Sequence, residues 1–238
     1  MSEEDKEQTI LEHLEELRQT LLDCLIKVAI VLPFAFIIAP KALDFLTKIL
    51  IGKNQITFNY FAPMEVFIIQ IKLALLLDVI VCFPYIAKRL WDFIAPALYE
   101  NEKNIIKTSV ISSTLLFFAG IIFCIFGILP LIINFGMSFA SGNMQALFGI
   151  SNIINLALSL AFVFGLMFQI PLIINVLIKW DIVTYEFISE KRPYVAVILL
   201  VLSALFTPPD IISQIMLFTP TYLLFEIGLF LSKKSIQK

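Results

Sequence analysis

Apolar residues fall in long runs along the chain, and short stretches holding most of the charge separate them. A bilayer core of about 30 Å is crossed by about 20 helical residues rising 1.5 Å each. Six runs approach or exceed that length, at residues 22–39, 66–87, 109–135, 153–178, 194–206 and 211–231. The pattern predicts an all-α polytopic membrane protein with six transmembrane helices in a single integral membrane domain over residues 1–238. Five runs carry a proline, at Pro33, Pro84, Pro130, Pro171 and Pro220. Membrane bundles tolerate proline where a neighbour satisfies the freed carbonyl, so kinked helices are expected. Only Thr207, Pro208, Pro209 and Asp210 separate the last two runs. Residues 194–206 make about 20 Å of helix, so the fifth and sixth spans are expected to be short, with the mismatch met by bilayer thinning or partner helices.

Ahead of the first run the periodicity changes. Thr9 with Glu12 fits a capping box, and Ile10, Leu14, Leu17 and Leu21 share one helical face. Residues 9–21 are therefore predicted to form an amphipathic helix on the inner membrane surface. Its polar face carries Glu12, Glu15, Glu16 and Gln19, where a helix made for attachment to anionic lipid carries Lys and Arg. An acidic face of this kind is either a solvated helical face or a docking surface for a cation. Asp92, Glu100 and Glu102 in the loop after the second run, and Asp181, Glu186 and Glu190 after the fourth, add carboxylates at the same level. Two adjacent arginines on a partner peptide suit such groups, through charge-assisted and bidentate hydrogen bonds.

Lys and Arg set the orientation. With the N-terminus inside, twelve lie in inner segments, and only Lys41, Lys48 and Lys53 lie outside. Both termini are thus expected on the cytoplasmic side. Residues 1–16 are acidic where a secretory signal is basic, so the first run is expected to be retained, and the lack of a transit-like N-terminus favours a bacterial cytoplasmic membrane.

Composition excludes whole classes of function. Apolar residues make up 60% of the chain, charged residues 15%, and mean hydropathy is +0.95, which no water-soluble enzyme of this size could bury. A net charge of −2 with no basic cluster argues against nucleic acid. Cys24, Cys82 and Cys124 are isolated and His13 is the lone histidine, so neither a metal nor a cofactor is expected. No catalytic or nucleotide-binding motif occurs, and an enzyme is not expected.

Polar residues at membrane depth are costly and mark candidate function. Glu65 and Lys72, seven residues apart, share a face of the second span, and Asp78 lies nearer the midplane. Glu226 lies in the sixth span. Carboxylates and proline-broken helices also fit a secondary transporter of a small solute, the alternative reading.

The ordered motifs carry a resemblance. His13-Leu14-Glu15-Glu16-Leu17-Arg18, Pro63-Met64-Glu65-Val66-Phe67 with Lys72, and Phe93-Ile94-Ala95-Pro96-Ala97-Leu98 followed by Glu102 come first. Lys191-Arg192-Pro193-Tyr194, Thr207-Pro208-Pro209-Asp210 and Phe225-Glu226-Ile227-Gly228 complete the set. Together they resemble the TatC family, the six-span receptor subunit of the twin-arginine protein translocase. The resemblance implies export of folded proteins driven by the proton gradient, and recognition of twin-arginine signal peptides at Glu16 and Glu102, with His13, Arg18 and Phe93 shaping the surface. It also implies partner contacts with single-span TatA/TatB-type subunits around Thr207, Asp210 and Gln214, and with other copies of the chain. Gln169 stands where the family commonly has a glutamate, so the resemblance predicts a polar group that cannot ionise, facing a concave, water-accessible groove. Family members usually carry a small residue in place of Asp78.

Overall fold

The computed structural model describes residues 3–51, 58–94, 103–138, 148–206 and 211–236, and side chains are placed for most of these. Helix α1 runs Glu3–Ile51, α2 Glu65–Ile94, and α3 Lys103–Phe123, which passes through a π-helical turn at Cys124–Ile128 into α4, Leu129–Met137. After these come α5 Ile150–Met167, α6 Ile170–Lys179, the short α7 Tyr185–Glu190, α8 Arg192–Phe206 and α9 Ile211–Ile236. Two-residue strands β1 (Phe58–Asn59) and β2 (Phe148–Gly149) pair in parallel. They tie together the ends from which α2 and α5 depart.

Among the described residues, five stretches are long and apolar enough to cross a membrane: Glu12–Leu50, Glu65–Phe93, Lys107–Met137, Ile150–Lys179 and Ile211–Lys233. The fifth expected span is α8, with 15 residues and about 22 Å of helix. It is short, as its sequence predicts. The sixth is not, since α9 extends over 26 residues.

A second difference concerns the N-terminus. The amphipathic segment 9–21 does not form a separate helix along a surface. It is continuous with the first span in a 49-residue helix about 73 Å long, with Thr9 inside it. The reason is local: residues 3–32 contain neither Gly nor Pro, and the acidic residues at the start of the chain suit a helix N-terminus. The helix also continues through Pro33 and Pro40, past the expected end at residue 39.

The remaining prolines act in different ways. Pro84 and Pro220 lie inside α2 and α9. Pro130 follows the π turn, where the Leu129 N–H bonds the Cys124 carbonyl, so the helix widens just where proline withdraws a donor. Pro171 divides the fourth span. α5 ends at Met167 and α6 starts at Ile170, leaving Phe168 and Gln169 at the break.

The core lies among α1, α2, α3 and α5, around Phe117, Phe164, Ile154 and Leu160, with the Phe83 and Phe117 rings stacked at 3.6 Å. Gly120 permits the closest approach of α3 to α5, for a Cβ there would meet the Phe164 carbonyl oxygen at 2.4 Å. Gly228 similarly lets α9 lie on Pro171, where a Cβ would meet Pro171 Cα at 2.8 Å. A smaller cluster of Ile174 and Ile178 from α6 with Phe225 and Leu229 from α9 fixes the last helix.

Candidate functional site: the acidic end of the first two helices

The face of α1 that carries Glu12, His13, Glu15, Glu16 and Arg18 is open to solvent. Its charges are sorted by helical spacing. Arg18 Nη1 donates to Glu15 Oε1 at 3.0 Å, three residues back, so Arg18 is engaged by Glu15 and not by Glu16. Glu16 is left with His13, whose Nδ1 lies 3.6 Å from Oε2. Side chains that are 56% and 48% exposed leave the pair accessible to a ligand.

The decisive contact crosses to the second helix. The His13 ring stacks on Phe93 near the end of α2, with centroids 4.4 Å apart and planes inclined by 13°. Two turns along α1 from Glu16, Asp23 forms an ion pair with Arg89 of α2, whose Nε donates to Tyr85 Oη at 3.1 Å. Lys27 lies over the same tyrosine ring, 5.8 Å from its centroid. These contacts hold the Glu16 face of α1 beside Phe93. Glu102 lies outside the described residues, just before the first residue of α3.

The polar residues expected at membrane depth divide among separate places. Glu65 is a double helix anchor and not a groove residue. Its Oε2 accepts the Phe61 and Ala62 N–H groups at 2.7 and 3.2 Å, and its Oε1 accepts Ser151 N–H in the first turn of α5 at 3.0 Å. The sequence placed Glu65 on the second span, but not its partner in a second helix, 86 residues away. Asp78 is fully buried, and its Oδ1 accepts the Cys82 thiol at 3.5 Å. Glu226 is occupied. Arg192 Nη2 donates to it at 3.1 Å, and Tyr222 Oη donates to it at 3.1 Å, which joins the start of α8 to α9.

Gln169 departs from the expected wet groove. It is buried, and its Nε2 donates to the Ser113 carbonyl of α3 at 3.0 Å and to the Gly165 carbonyl at 3.5 Å. It lines a cavity of about 440 Å³ whose other walls, Phe83, Leu90, Trp91, Leu166, Ile173 and Leu177 among them, are mainly apolar. Trp91 closes one side by donating to Ser113 Oγ at 3.0 Å. The proline break supplies the site, because it ends α5 where the amide can reach back to α3. Of the expected partner-contact residues, Thr207 and Asp210 lie outside the described residues. Gln214 is half-buried and donates to the Leu200 carbonyl of α8 at 3.1 Å, so it staples α8 to α9.

Comparison with known proteins bears on this arrangement. The family model described as Sec-independent protein translocase protein (TatC) matches residues 12–220. A Haemophilus influenzae protein named Sec-independent protein translocase protein TatC is 36% identical over 243 residues, covering 98% of this chain and 92% of the relative. The Escherichia coli K12 protein of that name is 35% identical and covers 100% and 93%. A crystal structure described as twin arginine translocase receptor TatC superposes with a TM-score of 0.87 at 31% identity, covering 94% of this chain and 99% of that one.

Proposed function

The chain belongs to the TatC family of Sec-independent protein translocase proteins, and on that premise we propose that its receptor surface is the acidic face of α1 at Glu16, joined by Phe93 and Glu102. The ligand is a twin-arginine signal peptide of folded cargo. The observation that carries this reading is the His13–Phe93 stack, which brings Glu16 to the end of α2 although 77 residues separate Glu16 from Phe93. Because Glu15 takes Arg18, the Glu16 carboxylate meets no Lys or Arg of its own helix among the described side chains, and its neighbour there is His13. Two guanidinium groups present forked donors that match carboxylates, each charge-assisted bond contributing about 1.5–3 kcal/mol. Lysine offers only a point charge, so twin lysine binds less well.

The wider reading follows the family. The protein is a multi-pass membrane subunit of a protein translocase. The excess of Lys and Arg in one set of loops supports a cytoplasmic position for both termini in a bacterial inner membrane. Single-span TatA/TatB-type subunits would meet the Thr207, Asp210 and Gln214 region beside short α8, which lipid alone covers poorly. Other copies of the chain complete the assembly, and the proton gradient supplies the energy. The solute-transporter alternative finds no support among the relatives named above, which are translocase proteins and not enzymes or solute carriers.

The test is site-specific crosslinking from position 19, an exposed residue one turn along α1 from Glu16, to a twin-arginine peptide and to its twin-lysine counterpart. Strong crosslinks to the first and weak ones to the second are expected, and both should disappear in the inserted Glu16→Lys, Glu102→Lys double variant. Unchanged crosslinking in that variant would overturn the assignment.

A further inference from the structure

We propose that a pocket between the N-terminal halves of α2 and α5 binds the phosphate of an anionic phospholipid through Lys72. An acyl chain of the same lipid continues over Leu76, Leu158 and Phe162. The pocket holds about 550 Å³ and is lined by Lys72, Leu76, Asn155, Leu158, Ser159 and Phe162. It is separate from the receptor face and independent of the reading given to that face.

Lys72 is an exposed cation short of partners. Its Nζ donates to Asn155 Oδ1 at 2.9 Å, and Asn155 Nδ2 donates in turn to Ser151 Oγ at 3.1 Å. An ammonium has three donors. Among the described residues no carboxylate lies within 4 Å of it. Glu65, the acid two turns away on the same helix, is held by three backbone N–H groups. An unpaired ammonium on a membrane helix is costly, and a phosphate oxygen removes that cost.

The second argument is the order of the lining. The Glu65–Ser151 bond sets the two helices level at those residues. At 1.5 Å per residue, Asn155 lies about 6 Å below that level, Lys72 and Leu158 about 10 Å, Ser159 about 12 Å, and Leu76 and Phe162 about 16 Å. The polar and cationic groups Asn155, Lys72 and Ser159 all lie within about 12 Å of the helix starts, with Leu158 beside them, and only Leu76 and Phe162 line the wall farther in, which suits the sequence of headgroup and chain in a phospholipid. A free phosphate uses only the upper part of such a wall.

Native mass spectrometry of the full chain in a mild nonionic detergent tests the site, with phosphatidylglycerol as the probe. One saturable phosphatidylglycerol is expected, with phosphatidylcholine binding more weakly. Lys72→Gln should weaken binding about tenfold, as loss of a charge-assisted contact requires. Asn155→Asp should do the same by placing a carboxylate on the ammonium, and it leaves the lysine paired so that folding is not at issue. Lys72→Arg and the remote Lys48→Gln should bind like the native chain. Equal binding by the native chain, Lys72→Gln and Asn155→Asp would overturn the proposal. So would equal affinity for phosphatidylcholine, or displacement of the lipid by inorganic phosphate at matched concentration.

Discussion

Replacing Gln169 by glutamate restores the residue expected from the family resemblance, and the geometry argues that this chain will not accept it well. The amide nitrogen donates to the Ser113 and Gly165 carbonyls at 3.0 and 3.5 Å from a buried position. A carboxylate has no donor to offer and faces two carbonyl oxygens. Losing the bonds costs about 1 kcal/mol for the shorter and less for the longer, and burying the unsatisfied oxygen adds about 1–3 kcal/mol. The sum is about 2–4 kcal/mol, which for a chain of this size lowers the apparent Tm by roughly 5–15 °C. Gln169→Leu loses the bonds without the buried charge, so it should fall between native and Gln169→Glu. The buried thiols of Cys82 and Cys124 supply the assay, since a thiol-reactive fluorophore reports on heating when they become exposed. An apparent Tm for Gln169→Glu within about 1 °C of native, or no lower than that of Gln169→Leu, would show that water reaches the amide through the adjacent cavity and refute the reasoning.

Other substitutions probe the packing and the receptor face. Gly120→Ala sets a Cβ 2.4 Å from the Phe164 carbonyl oxygen, a backbone atom that cannot swing aside. It should cost about 1–3 kcal/mol, read by the same thiol assay. Glu65→Gln weakens the anchor shared by the turn before α2 and the start of α5, and should speed proteolysis near residues 61 and 151 without altering receptor crosslinks. Phe93→Ala removes the ring under His13 and should weaken twin-arginine peptide binding by several-fold, whereas Phe93→Tyr, which keeps the ring, should not. In the folded protein, maleimide should label Cys24 before Cys82 or Cys124, because only Cys24 is partly exposed.

Hydropathy alone marked the apolar stretches that form the long helices, because lipid requires long apolar helices and prolines can be carried within them. Periodicity also marked the acidic face of residues 9–21. It misplaced that face as a separate element, since a capping box at Thr9 and Glu12 reads the same whether a helix begins there or runs through. Pro130 follows a π turn in a continuing helix whereas Pro171 follows a break, and no linear pattern distinguishes the two. Nor does one report the partners of Glu65, whose second lies on α5, or of Glu226, which Arg192 claims from α8. The meeting of His13 and Phe93 was accessible only through resemblance to a family in which both motifs occur.

The length of α1 has a mechanical consequence. A continuous helix transmits tilt with little loss, and from Pro33 to Glu16 the lever arm is 17 residues, about 25 Å. A rotation of about 5° about a pivot at Pro33 displaces the Glu16 carboxylate by about 2 Å, comparable to the difference between a formed and a broken hydrogen bond. Whatever leans on the membrane portion of this helix therefore sets the gap between Glu16 and the residues it faces. The first span works as a pointer whose tip is the proposed receptor surface.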